Sequence, residues 1–330
     1  MIRWEECCDV LVIGAGAGGM AAALRAHDLG LDTLLIEKSE QYGGSSAVSG
    51  GAIWIPDSHR TLGARDTAAE VVAEAYVEHG HAMLEYLERD TRVRFEAQAQ
   101  FPDDSAQLSG GKPGYRLMDP QPFNAAALGE DFLRMREPSP GTLLMGRMAM
   151  TVKEARVLLC RSRGWPGLAA KVLWRYWRDR GGRKLSRRDR FLTQGSALVG
   201  ALRCSLLDRA VPLWLNCQLA QLLIVDDRIG GARVRRDGQW LNIKTRHGVI
   251  IAAGGFEGNQ AMRLQPHQDG QPILGLYAIG NSAASMLRCT CPGGDATVGS
   301  AMTFGFLAAN HIRENSQQRR GSRAVARNGR

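Results

Sequence analysis

The chain has 330 residues, 44% of them hydrophobic, with 39 glycines and a formal net charge of +9. That length supports a large core and more than one domain, and the glycine content suits an α/β protein with many tight turns. No run of 18 uninterrupted apolar residues occurs, so no transmembrane helix is expected, and MIRWEECCD reaches the first apolar run too soon for a signal peptide, which makes the cytoplasm the expected compartment.

A short apolar strand at 10–13 (VLVI) enters a turn with Gly14, Gly16 and Gly19 at G-x-G-x-x-G spacing. A helical pattern over 20–28 and a second apolar run over 33–36 (TLLI) follow, and the run ends at Glu37. Strand, glycine turn, helix, strand and acid in that order predict a dinucleotide-binding βαβ unit. Gly14 permits the turn, Gly16 lets backbone approach a pyrophosphate, and Gly19 lets helix and strand pack closely. The helix N-terminus offers N–H groups and a positive dipole end, and Glu37 lies at the spacing of a ribose hydroxyl acceptor. Next come Gly43-Gly44-Ser45-Ser46 and Ser49-Gly50-Gly51, small and polar enough to run along a cofactor and offer hydrogen bonds.

Residues 66–90 read as an amphipathic helix, with His79 and His81 on different faces and therefore at the surface. Residues 98–140 are rich in Pro, Gly, Asp and Ser and read as loop. Residues 151–190 are basic, aromatic and helical, with Trp165, Trp174, Tyr176 and Trp177 among Lys and Arg. Such a segment lies on an anionic membrane surface, covers an apolar substrate channel, or packs on the core through its Trp face. A helix is expected over 195–207. Strands then alternate with turns over 211–252, with Asp226-Asp227-Arg228 and Asp237-Gly238 as the turns; WLNIKT (240–245) is followed by a separate last strand that begins at Gly248, is purely apolar and runs into Gly254-Gly255. A short strand over 276–279 ends at Gly280-Asn281, and a glycine loop at 292–294 precedes a helix starting near Thr297. From Arg313 the tail lacks apolar periodicity and reads as disordered.

The seven cysteines are scattered at 7, 8, 160, 204, 217, 289 and 291, the pattern of reduced thiols. Cys289-Thr290-Cys291 lacks a second Cys/His pair, so no metal site is expected. The basic excess, heavy in 151–190 and in the tail, matches no nucleic-acid-binding motif, and no nucleic-acid partner is expected. A second nucleotide fingerprint, which NAD(P) would need, is absent from the sequence.

Several blocks together resemble the fumarate reductase/3-ketosteroid dehydrogenase group of FAD enzymes, the FAD-dependent oxidoreductase 2 family. VLVIGAGAGGMAAAL with IEKSEQYGGSSAVSGGAIWIP looks like the N-terminal FAD motif, in the form closest to the 3-ketosteroid Δ1-dehydrogenases. GVIIAAGGFEGNQAMR looks like the returning strand, and GLYAIGNSAAS with GDATVGSAMTFGFLAA like the C-terminal flavin motif. The resemblance implies a GR2-type, Rossmann-like α/β FAD-binding domain with a central parallel sheet, a β-meander and a mostly helical insertion. It divides the chain into FAD-binding residues 1–100, an insertion at 101–192, FAD-binding residues 193–312 and a basic tail at 313–330.

It also implies roles. Gly14, Gly16, Ala17, Gly18 and Gly19 would hold the pyrophosphate. Glu37 and Lys38 would lie at the adenosine ribose, with the Leu219 backbone at the adenine. Gly44, Ser45, Ser46, Ser49, Gly50 and Gly51 would flank the flavin side. Ala253, Gly254, Gly280 and Asn281 would line the middle of FAD, and Thr297 and Val298 would place N–H groups at the flavin pyrimidine edge. Hydride reduction leaves negative charge there, which a helix N-terminus stabilises.

The implied activity is FAD-dependent dehydrogenation of a small apolar ketone or steroid, most like a 3-ketosteroid Δ1-dehydrogenase, with hydride passing from a C–C bond to flavin N5. The alternatives are a truncated or non-catalytic FAD-binding protein and a fumarate reductase-like flavoprotein. Where the family inserts a substrate module after Met262-Arg263, this sequence has only LQPHQD before Gly270. The family's tyrosine base or arginine acid there has no counterpart. Cys291 stands where the steroid enzymes place a ketone-polarising tyrosine, and Asp104 where they often carry a tyrosine after Pro-Asp. Tyr115, Cys291 and His267 are the remaining catalytic candidates.

Overall fold

The structure is a computed structural model that describes residues 2–55, 67–99, 101–102, 114–255, 273–283 and 296–328. Strand β1 (Glu6–Ile13) sits at its centre because both of its faces are apolar: Val10, Leu11, Val12 and Ile13 are all buried. Val10 and Val12 face one core while Leu11 and Ile13 face another, as the two-residue period of a strand requires. On one side β1 pairs in parallel with β2 (Thr33–Ile36), which pairs in parallel with β8 (Leu213–Trp214). On the other it pairs in parallel with β11 (Gln239–Ile251), and β11 with β12 (Leu276–Ala278). The seven-stranded sheet is completed by the antiparallel meander of β9 (Cys217–Val225), β10 (Arg228–Arg236) and β11.

The expected turns are present, with Asp226, Asp227 and Asp237 at positive φ. One boundary differs from the sequence reading. WLNIKT and the apolar run after Gly248 form a single strand, β11, whose first half (239–244) pairs with β10 in the meander while residues 243–251 follow β1. Gly248 is no break: a Cβ there would lie 2.9 Å from the Gly275 carbonyl oxygen, so glycine admits the backbone leading into β12.

Helix α1 (Ala17–Asp28) covers one face of the sheet and is in turn covered by the C-terminal helix α7 (Ala296–Asn328). Both helices are small-sided at the contact. A Cβ on Gly18 would lie 2.9 Å from the Ala301 carbonyl oxygen, and one on Gly305 would lie 2.8 Å from that of Gly18. Arg25 fastens the pair, donating to Asn310 Oδ1 at 2.8 Å and stacking over Phe306 and Tyr86. Tyr86 belongs to α2 (Thr67–Asp90), the expected amphipathic helix, and His79 is half-buried and His81 exposed on it. Helix α6 (Gln194–Asp208) is buried along most of its length.

Three expectations change. Helix α7 continues through Asn328 in place of a disordered tail, because residues such as Ile312 and Ser316 remain buried and the residues beyond are mostly fair helix formers. The stretch read as loop contains β5 (Leu117–Pro120), which joins β4 (Phe95–Ala97) just ahead of that stretch and β3 (Ile53–Trp54) in a small sheet, and β6 (Phe123–Asn124), paired with β7 (Phe191–Leu192). The basic segment folds as α3 (Val152–Leu159), α4 (Trp165–Arg178) and α5 (Arg180–Leu185). It packs through Val172 and Tyr176 on Met148 and Met150, and Trp174 and Trp177 are exposed where core packing was one of the expectations.

Candidate functional site

The C-terminal ends of β1, β2, β11 and β12 open onto one cleft of about 920 Å³, at the place in the sheet where the connections leave β1 in opposite directions. Its walls come from segments far apart in the chain: residues 13–19, 37–46, 217–219, 252–255, 279–281 and 297–301. Parallel pairing brings them together. Gly14 N–H donates to Ile36 O at 2.8 Å, Ala252 N–H to Ile13 O at 2.8 Å, and Ile279 N–H to Ile251 O at 2.9 Å. The chain turns at Gly14 with φ of 110°, and a Cβ there would collide with the Ala252 carbonyl oxygen at 2.3 Å.

Glu37 is buried, and its carboxylate organises the turn. Oε2 accepts from Ala15 N–H at 2.9 Å and Oε1 from Ser39 N–H at 3.1 Å. Each carboxylate oxygen keeps a second lone-pair direction, so the group can still accept from a ligand hydroxyl. Ser46 reaches the start of α1, its Oγ accepting from Ala17 N–H at 3.1 Å. That leaves the Ser46 hydroxyl hydrogen to donate elsewhere. On the far wall Ser282 Oγ donates to Gly254 O at 2.9 Å and holds the 254 and 280 turns together.

Among the residues read from the sequence, Gly14, Gly16, Ala17, Gly18, Gly19, Glu37, Lys38, Gly44, Ser45, Ser46, Leu219, Ala253, Gly254, Gly280, Asn281, Thr297 and Val298 all line the cleft. Ser49, Gly50 and Gly51 stand outside its walls. Ser49 and Gly51 anchor α6: Gly195 N–H donates to Ser49 O, and a Cβ on Gly51 would lie 2.4 Å from the Gly195 backbone. Ser49 borders a second cavity of about 240 Å³ instead. Tyr115 is not brought to the cleft; its side chain is 69% exposed. Cys291 and His267 lie outside the described residues.

Arg136, Gln41, Gln218 and Cys217 also line the cleft and escaped the sequence reading. Arg136 had no signal in its loop-rich surroundings. It arrives through a bridge in which Tyr42 N–H donates to Arg134 O and Arg136 N–H to Tyr42 O. Burial pushes the Cys217 thiol up to about 11, so it faces the cleft protonated.

Electrostatically the cleft suits an anion. The N-terminal ends of α1 and α7 border it, Lys38 and Arg136 add positive charge, and the carboxylate of Glu37 is already solvated by backbone N–H groups. Gly16 faces it with no neighbour nearer to a virtual Cβ than Ser46 Oγ at 3.5 Å, and a Cβ on Gly254 meets nothing within 4 Å. The space in front of both is a cradle that a side chain would fill; Gly16 has an ordinary φ of −81°, so the fold itself does not demand glycine there, whereas Gly254 at φ of 83° needs glycine for its backbone as well.

The chain matches the FAD binding domain family over residues 9–268. It belongs to this family. Its cofactor is FAD, and the long, glycine-walled, positively biased cleft fits that dinucleotide. The 3-oxosteroid 1-dehydrogenase of Comamonas testosteroni is 38% identical over 280 residues, 79% of this chain and 49% of the relative. The crystal structure of 3-ketosteroid delta1-dehydrogenase from Sterolibacterium denitrificans, in complex with 1,4-androstadiene-3,17-dione, is similar with a TM-score of 0.72 and 40% identity, over 91% of this chain and 55% of that one. The E. coli quinol fumarate reductase FrdA shares the fold at a TM-score of 0.52 and 10% identity, over 94% and 71%. The chain spans about half the length of the curated relatives it matches.

Proposed function

We propose that this chain is the FAD-holding part of an oxidoreductase of the 3-ketosteroid Δ1-dehydrogenase type, acting on a CH–CH bond beside a ketone. The observation that carries the reading is the single cleft, most of whose widely separated wall segments lie in sequence blocks that resemble the corresponding parts of those enzymes. In this reading Gly14, Gly16, Ala17, Gly18 and Gly19 hold the pyrophosphate at the start of α1. The Glu37 carboxylate, fixed by two backbone N–H groups, accepts from the adenosine ribose, with Lys38 and the Leu219 backbone beside it. Gly44, Ser45 and Ser46 follow on the flavin side, Ala253, Gly254, Gly280 and Asn281 line the middle, and Thr297 and Val298 present N–H groups at the flavin pyrimidine edge. Bound FAD supplies the acceptor for a hydride leaving the substrate.

The test is anaerobic: adding a 3-ketosteroid to the yellow protein should bleach the flavin absorbance. An unchanged flavin spectrum across a panel of 3-ketosteroids and cyclic ketones contradicts the dehydrogenase reading. It would favour a second one, an FAD-binding protein without turnover. One observation supports that alternative: Tyr115, the remaining phenol candidate among the described residues, lies away from the cleft.

No helix among the described residues is long and apolar enough to cross a membrane. We include in the proposal a peripheral contact between residues 151–190 and a membrane, which would suit a sparingly soluble steroid substrate.

A further inference from the structure

Helix α4 has two faces with different work to do. Its inner face, Val172 and Tyr176, is buried on Met148 and Met150, and the Tyr176 hydroxyl donates to Arg187 O at 2.8 Å. Arg175 reinforces that anchor, donating to Glu154 Oε1 at 3.0 Å and to Ala149 O at 2.7 Å. The helix is therefore held to the body without its outer face. On that outer face Trp174 and Trp177 are i, i+3 neighbours, Leu173 is i+4 to Trp177, and their exposures are 61%, 67% and 39%. Large apolar side chains left this open, three on one face of a single helix, mark an interaction surface rather than scattered surface hydrophobics.

The chemistry beside them selects the partner. Residues 151–190 contain thirteen Lys and Arg against three Asp and Glu, an excess larger than the net +9 of the whole chain. Lys171 and Arg178 are exposed beside the Trp face, and the Arg178 guanidinium lies 4.9 Å from the Trp174 ring. A protein-protein interface core is depleted in Lys, whereas an interfacial helix pairs Trp and Leu on one face with flanking cations. We infer that the outer face of α4 docks on an anionic lipid surface, with Trp174, Trp177 and Leu173 entering the headgroup boundary and Lys171 and Arg178 meeting the lipid charges. This deepens the peripheral contact proposed above and rests on it, and it is independent of the flavin reading.

The experiment is sedimentation of the full chain with vesicles of phosphatidylcholine alone or with about a third phosphatidylglycerol, read at low and high salt. Binding should be confined to the anionic vesicles and fall as salt screens the surface. The variant K171E/R178E should lower the partition coefficient by more than about fivefold per basic residue replaced. The variant W174A/W177A should lose binding while keeping the circular dichroism and melting temperature of the wild type, since neither ring belongs to the packed face. Absence of binding to either vesicle overturns the peripheral contact itself. Anionic binding that survives W174A/W177A overturns the assignment to α4. A dimer in solution that W174A/W177A disperses, with no vesicle binding, overturns the lipid in favour of a second copy.

Discussion

Glu37 has one carboxylate and two demands on it. It satisfies the backbone of the glycine turn, through Ala15 and Ser39, and it keeps lone pairs that in the proposed reading accept from a ribose hydroxyl. Glu37→Gln replaces one acceptor oxygen by an N–H₂ that cannot accept, so a buried backbone N–H is left unpaired. The expected cost is about 1–3 kcal/mol in stability together with weaker FAD binding, measured by chemical unfolding and by flavin fluorescence. Thiol chemistry at the same scale follows burial. Cys7 and Cys160 are exposed, while burial pushes Cys217 up to about 11 and Cys8 up to about 12. Iodoacetamide at pH 8 should label the first two and spare the second two, as read by peptide mass spectrometry.

Asp28 supplies the pH dependence. Burial alone would raise its carboxyl, but hydrogen bonds from Arg209 and Tyr86, with the Arg209 charge, outweigh that and hold it below the usual carboxylate range. A carboxyl depressed in the folded state contributes stability that is present above the unfolded value, about 3.9, and lost as pH falls through the folded one. Asp9 behaves alike: burial opposes, and Arg246 with the Asp32 backbone prevails. Thermal unfolding from pH 6 to pH 2 should show stability falling below about pH 4, and Asp28→Asn should flatten that fall.

At the scale of elements, the glycines divide by what a Cβ would meet. Gly305 faces the Gly18 backbone across the α1–α7 contact, so Gly305→Ala forces the helices apart and should cost about 1–3 kcal/mol with or without FAD. Gly16 has ordinary φ of −81° and room for a methyl group in the protein alone. Gly16→Ala should leave the stability of the apoprotein within about 0.5 kcal/mol and weaken FAD binding roughly tenfold or more, compared by unfolding and titration. The βαβ unit was legible in sequence for the same reason: spacing of Gly14, Gly16 and Gly19 encodes backbone approach, which is local. The meander turns were legible through Asp226-Asp227 and Asp237-Gly238. Gly248 misled, because its purpose is the nearby Gly275 backbone, a contact made across the sheet. Arg136 and the anchoring of α6 by Ser49 and Gly51 are equally non-local, and no periodicity or motif announces them.

For the whole molecule, the sheet gathers cleft-lining blocks written at 13–46, 217–219, 252–255, 279–281 and 297–301 into one place, and apart from 217–219 those were the most legible parts of the chain. The exposed Trp face was only half legible. Composition showed an aromatic, basic helix, but which rings turn outward depended on the Met148–Met150 patch that takes Val172 and Tyr176. The central claim is that this cleft holds FAD through the residues that line it. Titration of the apoprotein with FAD, followed by flavin fluorescence, tests it most directly. Saturable binding that yields a yellow protein, and that Gly16→Ala weakens without unfolding the chain, is the predicted result. A folded, colourless protein that FAD does not reconstitute, or one that binds FAD equally with Gly16→Ala, would contradict it.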